Sequence, residues 1–274
     1  MNYLLNDITI EYTNTINTIK DAMVDKPHLK ILNDKFSIDV YTIGEFYAEK
    51  GNRITVKPHE GTDQKSIDLI LNGSIFGAIL HQKKILPLHG SSFSFKGKGI
   101  TICGRSGVGK SSVTTAFCQN GGQFITDDIT PIKIDNNIAT IVSTNNHIKL
   151  WDDTLQTLSI ESNDLEKIRP TINKFYFLPQ GCTPSEQRLD MLFILSTHHK
   201  DSFSIQELNG IEKYNALRDQ IYRKNFLKGM PETQRKYFQD LVILTNQVKV
   251  ISITRPRICN IYSTMRFIEN EITK

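Results

Sequence analysis

The chain has 274 residues, enough to bury a substantial core as one large domain or as a domain with an attached lobe. Hydrophobic residues make up 39% and charged residues 23%, and the net charge of +4 is too slight and too scattered for a nucleic-acid face. No apolar run approaches the ~18 residues of a bilayer-spanning helix, and residues 1–7 lack the basic and long apolar stretches of a secretory signal. A cytoplasmic protein is the expectation, with neither a membrane nor a nucleic-acid partner.

Residues 1–88 read as short strands and turns. Residues 36–41 alternate apolar and polar as a half-buried strand does, and residues 54–56 form a second strand after the turn signal Gly51-Asn52. Residues 67–81 carry a helical apolar period, weakened by Gly73 and Gly77. Residues 7–23 fit a helix or two strands equally. Residues 92–95 and 99–103 flank Lys96-Gly97-Lys98 as a β-hairpin, and a helix over 110–119 is stopped by Asn120-Gly121-Gly122. A strand over 123–126 then ends at Asp127-Asp128. Further strands are expected at 131–134 and 139–142, and a short helix at 152–158.

In the last third, residues 192–195 read as a buried strand. Ile211, Tyr214, Leu217 and Ile221 recur at helical spacing, and Pro231 suits the first turn of a helix reaching 247. A strand over 249–253 and a terminal helix over 260–271 follow. The four cysteines, Cys103, Cys118, Cys182 and Cys259, form no Cys-x-x-Cys pair and have no His at metal spacing, which fits a reducing compartment. No compositional shift marks a linker. The expectation is one α/β domain over 1–274, with a β-rich N-terminal lobe (1–88) and a catalytic core (89–274).

Gly104-Arg105-Ser106-Gly107-Val108-Gly109-Lys110-Ser111 matches the phosphate-loop pattern Gly-x-x-x-x-Gly-Lys-Ser, with an apolar strand before it and a helix after it. Glycines let backbone N–H groups line a concavity for phosphate oxygens, and the helix N-terminus adds positive potential. Lys110 would reach the β- and γ-phosphates, and the Ser111 hydroxyl would coordinate Mg²⁺. Together with Ser112, these residues form a candidate site for a nucleoside triphosphate, ATP with Mg²⁺. The pair Asp127-Asp128 arrives at the end of a strand soon after Lys110. One carboxylate there can hold Mg²⁺, and the other can take the proton of an attacking hydroxyl. His89 lies just upstream of the hairpin, in Leu88-His89-Gly90-Ser91.

Together, Leu88-His89-Gly90-Ser91, the loop and Asp127-Asp128 resemble the C-terminal catalytic domain of HPr kinase/phosphorylase. More closely they resemble the HPr-kinase-related proteins of bacterial peptide-maturation clusters, lasso-peptide clusters among them. The stretch Ile148-Lys149-Leu150-Trp151-Asp152-Asp153-Thr154-Leu155 is similar to that second group. The resemblance is sharp over residues 85–160 and general elsewhere.

It implies a fold related to phosphoenolpyruvate carboxykinase and phosphorylation of a serine hydroxyl in a peptide or protein, plausibly a ribosomally made precursor peptide. It further implies that Asp127, His89 and Lys110 are catalytic, with Asp127 as the base and His89 near the transferred group. Ser111 and Asp128 would then hold Mg²⁺, although the reverse division between the two aspartates stays open. A homo-oligomer is the assembly it implies.

Ser112 stands where the bifunctional HPr enzymes carry Glu, and their Arg-Gly-containing segment has no counterpart. Their N-terminal domain also has none, since 88 residues precede His89. These departures argue against HPr itself as the acceptor and against reverse phosphorolysis. Lys174 is the best-placed basic residue for a phosphate contact, ahead of Arg188, Arg255 and Arg257. The alternatives are an ATP-hydrolysing regulatory protein, a small-molecule hydroxyl kinase and a nucleotide-binding module without chemistry.

Overall fold

The computed structural model describes residues 7–169, 171–181 and 184–274. The start of the chain and Cys182, read above, lie outside the described residues apart from Asp7. The fold is mixed α/β with several sheets, and the chain divides into two compact units, residues 1–87 with 221–240 and residues 88–220 with 241–274.

The first unit is built on a six-stranded sheet. Its strands are β1 (Thr9–Tyr12), β2 (Val24–Lys26), β3 (Leu29–Leu32), β4 (Lys35–Val40), β5 (Gly44–Glu49) and β6 (Arg53–Pro58). They run in the order β1-β6-β5-β4-β3-β2, antiparallel except for the β1–β6 pair. Thus one strand, followed by irregular chain, occupies the stretch that fitted a helix or two strands. Alternation puts Phe36, Phe46, Ile54 and Val56 into a core with Ile67, Ile75 and Ile79.

Those last three lie on a continuous helical run, α1 (Gln64–Ile70), a π-helical turn (Leu71–Ile75) and α2 (Phe76–Gln82). Asp63 caps it by accepting from the Ser66 N–H at 3.0 Å. Gly77, which weakened the helical pattern, is required by packing: a Cβ there would stand 2.8 Å from the Tyr222 ring.

A short strand, β7 (Leu86–Leu88), leads into the second unit. There β8 (Gly90–Phe95) and β9 (Lys98–Gly104) form the expected hairpin around Lys96-Gly97, both at positive φ as a tight two-residue turn demands. The helix α3 (Lys110–Gln119) and the strands β10 (Gln123–Thr126), β11 (Thr130–Asp135) and β12 (Ile138–Val142) follow. Next come β13 (Ile148–Trp151), α4 (Asp152–Thr157), β14 (Lys167–Arg169), β15 (Ile172–Phe177) and β16 (Glu186–Arg188). The chain closes with β17 (Met191–His198), β18 (Ser204–Glu207), α5 (Gly210–Asp219), α6 (Pro231–Gln247), β19 (Lys249–Pro256) and α7 (Ile261–Thr273). Of the residues at helical spacing, Ile211 is 71% exposed, whereas Leu217 is fully buried.

The central sheet of this unit has the order β10-β8-β9-β17-β19-β18. The strand β9 runs parallel to β17, and β17 parallel to β19. Both faces of such strands are covered, which explains the unbroken apolar run Leu192-Phe193-Ile194-Leu195. Phe93, Ile102, Phe117, Phe193, Ile253 and Ile268 pack into one core that fixes α3 and α7 against the sheet. A separate three-stranded sheet, β13-β15-β14, is antiparallel throughout. Ile148, Leu150 and Phe175 from it pack with Phe124 and Leu155 in a second, smaller core, with Cys118 of α3 against it.

Candidate active site

Sheet topology brings the glycine-rich loop and the aspartate pair together. The strand β8 is antiparallel to both β9 and β10, so β9 and β10 point the same way and end at the same edge of the sheet. Residues 104–111 leave the end of β9, and Asp127-Asp128 leave the end of β10. Carboxyl ends of neighbouring strands are where open α/β sheets place ligands. Gly104 has φ +140, and a Cβ on it would stand 2.4 Å from the Leu195 carbonyl oxygen, so the loop can begin only at a glycine. Gly109, at φ +102, turns the chain into the first turn of α3.

The side chains converge on an open cleft of about 370 Å³ lined by both polar loop residues and the aspartates. Ser111 Oγ donates to Asp127 Oδ1 at 2.8 Å. The other oxygen of that carboxylate accepts from the Lys149 backbone N–H at 3.2 Å. Asn145 holds the same residue by its backbone, its Nδ2 donating to the Asp127 carbonyl at 3.1 Å. Asp127 is 3% exposed and thus fixed on every side. The structure pairs Ser111 with Asp127 rather than with Asp128, the partner the resemblance implied.

Asp128 has φ +73, a left-handed backbone that few residues besides glycine, Asn and Asp adopt. Its carboxylate meets different partners from that of Asp127. Its Oδ2 is 3.2 Å from Lys149 Nζ, and its Oδ1 is 3.7 Å from His89 Nδ1. Burial works to raise the pKa of Asp128, but the charge and hydrogen bond of Lys149, with Lys174 beyond it, outweigh burial and hold the carboxyl below its ordinary value. Lys149 answers in the opposite sense: burial opposes its charge, yet Asp128 leaves its pKa raised. The Asp128 side chain stays 35% exposed, open to the cleft.

His89 Nδ1 lies 3.0 Å from the Asp128 carbonyl oxygen, and Nε2 lies 3.1 Å from Lys110 Nζ. A neutral ring with its proton on Nδ1 satisfies both contacts, donating to the carbonyl and accepting from the ammonium. Burial, and then the Lys110 charge, lower the His89 pKa and favour that neutral form. Lys110 Nζ also donates to the Gly104 and Arg105 carbonyls at 3.0 and 3.3 Å, and burial lowers its pKa.

Of the other residues singled out in the sequence, Ser106, Gly107, Gly109, Ser112 and Lys174 line the cleft. Val108 turns its side chain into the core and does not line the cleft. Arg255 donates to the Val108 carbonyl at 3.0 Å, bracing the loop without lining the cleft. Arg188 pairs with Asp190, and Arg257 is exposed. Lys149, Asn145, Trp151, Asp153 and Thr154 received no role from the sequence. Lys149 and Trp151 sit on β13, whose neighbour β15 is far off in the chain, and only the run 148–155 pointed toward them; Asn145 lies just before that run.

These donors suit a nucleotide-bound Mg²⁺. A hydroxyl and a carboxylate oxygen lie side by side, next to a buried ammonium and loop amides. Among the described residues no group of three or more His, Cys, Asp and Glu side chains could hold a metal unaided. A cation here would complete its octahedron with phosphate oxygens and water, as Mg²⁺ does.

No protein-family model matches the chain, and no curated protein is similar to it. Among solved structures, the chain is similar to the Hpr(Ser) kinase/phosphatase from Coxiella burnetii, at 13% identity and a TM-score of 0.37, over 68% of this chain and 96% of that one. So remote a likeness decides neither fold nor activity. Among the described residues, no helix is long and apolar enough to cross a membrane.

Proposed function

We propose that this chain is an ATP- and Mg²⁺-dependent kinase that transfers the γ-phosphate to a serine hydroxyl of a peptide or protein. The observation that carries the reading is the Ser111–Asp127 contact at 2.8 Å with a second, differently held carboxylate, Asp128, facing the same cleft. One carboxylate suffices to hold a cation; the second is what a hydroxyl acceptor needs.

In this reading Lys110 and the amides of residues 104–112 bind the triphosphate. Ser111 and the buried Asp127 hold the cation, which when bound would neutralise charge on the β- and γ-oxygens. Asp128 orients the serine hydroxyl and takes its proton. The serine oxygen bonds to the γ-phosphorus, the bond from that phosphorus to the β–γ bridging oxygen breaks, and ADP leaves. This exchanges the two aspartate roles relative to the order the resemblance implies, because Ser111 touches Asp127 and because Asp128 is the more exposed of the two carboxylates. His89, neutral, fixes Lys110 and the Asp128 backbone. Lys149 and Lys174 supply positive charge beside the transferred group. A precursor peptide of a biosynthetic cluster is the acceptor class the motif resemblance favours.

The deciding experiment incubates the protein with γ-labelled ATP, Mg²⁺ and a panel of serine-containing peptides. Label on serine, lost when the acceptor serine becomes alanine, is the expected result. Release of free phosphate at a rate no peptide alters would instead mark an ATPase.

A further inference from the structure

Trp151 is the only tryptophan of the chain, and it lies in the wall of the active-site cleft with 51% of its surface exposed. An indole ring offers a large apolar face, and leaving half of it bare in a polar cleft forfeits burial that a flat ligand would recover. The arrangement of the cleft indicates which ligand. Lys110, Ser111 and the two aspartates mark the end where terminal phosphates meet an acceptor. Ser112, one residue further along α3, and Trp151, Asp153 and Thr154 line the same cleft. A phosphate chain bound with its terminal groups at Lys110 leaves its nucleoside to the lining residues that the phosphates do not occupy. The Lys174 ammonium lies 5.5 Å from the indole centroid and is electrostatically coupled to both aspartates, so a single side chain links the ring to the phosphate end. The volume of about 370 Å³ falls within the range of small-ligand sites.

We infer that Trp151 is the platform on which the purine base of the nucleotide stacks, with Asp153 supplying a carboxylate for the ribose hydroxyls. The inference rests on the nucleotide reading proposed above and names the part of the ligand that reading leaves unplaced. Stacking of a base on an aromatic side chain tolerates different bases, because each presents a π-face. The site would therefore discriminate weakly among purines and strongly against phosphate chains that carry no base.

Because Trp151 is the sole tryptophan, its emission reports on this site alone. Mg·ADP and Mg·tripolyphosphate are titrated into the whole protein, with Trp emission and calorimetric binding followed in parallel. ADP should change the emission saturably at the concentrations where calorimetry detects binding, and tripolyphosphate should bind while leaving the emission nearly unchanged. Trp151→Ala should weaken ADP about tenfold and leave tripolyphosphate affinity intact, while Trp151→Phe keeps most of the ADP affinity. Calorimetric binding of ADP without an emission change overturns the stacking and leaves the nucleotide reading standing. So does an equal emission change with tripolyphosphate, which would report a shift of Lys174. If ADP does not bind at all, the nucleotide reading fails and the stacking with it.

Discussion

Ser111 Oγ and Asp127 Oδ1 stand 2.8 Å apart, joining the first turn of α3 to the end of β10. Each residue is held by its own strand or helix, so the pair is preformed. In the proposed reading this hydroxyl–carboxylate pair holds the cation together with phosphate oxygens. Asp127→Asn and Ser111→Ala should therefore each raise the Mg²⁺ concentration required for half-maximal transfer by about tenfold or more. Titrating Mg²⁺ at fixed ATP measures this, and an unchanged requirement in both variants would sink the assignment.

Asp128 and Lys149 divide their work differently. Asp128→Asn should lower transfer by ~10²–10⁴-fold while nucleotide affinity stays within a few-fold, because general-base assistance is worth about that much. A matched loss in binding and transfer would instead place Asp128 on the nucleotide.

Lys149 holds the Asp128 pKa below its ordinary value despite burial. Only the ionised carboxylate can accept a proton, so the rate should fall as pH drops through the Asp128 pKa. Lys149→Met removes the cation and raises that pKa, moving the acidic limb of the pH–rate profile upward. Lys149→Arg should restore its position. A profile unmoved by Lys149→Met would show that the 3.2 Å contact does not govern the base. The same depressed pKa contributes stability present above the unfolded value and lost as pH falls through the folded one.

Gly104 and Gly107 separate backbone strain from steric conflict. Both have positive φ, but a Cβ on Gly107 meets nothing within 4 Å, whereas one on Gly104 strikes the Leu195 carbonyl oxygen at 2.4 Å. Gly107→Ala should cost about 1 kcal/mol of stability and Gly104→Ala about 3 kcal/mol or more. Denaturant unfolding of the two variants tests the order, and equal costs would contradict the close approach of β9 to β17.

In the first unit, His81 is fully buried, with ring nitrogens 3.2 Å from the Tyr237 hydroxyl and 3.0 Å from the Tyr222 carbonyl. Burial lowers its pKa to about 4 from 6.5, so the unfolded chain takes up a proton here that the folded chain refuses. Stability contributed by this group is complete above pH 6.5 and is lost progressively between pH 6.5 and about 4, where the loss reaches about 3 kcal/mol. Thermal unfolding across that range should show the acid slope in the parent, reduced in His81→Leu; identical slopes would rule it out.

Much of the local structure was legible in the residues alone. The hairpin around Lys96-Gly97, the helix at Lys110–Gln119 and the strand Gln123–Thr126 ending on two aspartates all depend on neighbours in the chain: turn glycines, apolar alternation and a helix stop. The glycine-rich loop is of this kind too, because Gly104 and Gly109 adopt backbone angles that other residues resist.

What the tertiary structure decided was everything that depends on pairing across distance. The strands β14 and β15 carry no strong alternation, and they form because β15 pairs with β13 on one side and with β14 on the other. That sheet carries Lys149, Trp151 and Lys174 to the cleft. The different partners of Asp127 and Asp128 likewise lie beyond adjacent letters. One carboxylate meets the Ser111 hydroxyl and the other the Lys149 ammonium, on a backbone that is left-handed at Asp128. Backbone preference is a local property written residue by residue, whereas the direction in which a carboxylate points depends on partners that only folding brings together.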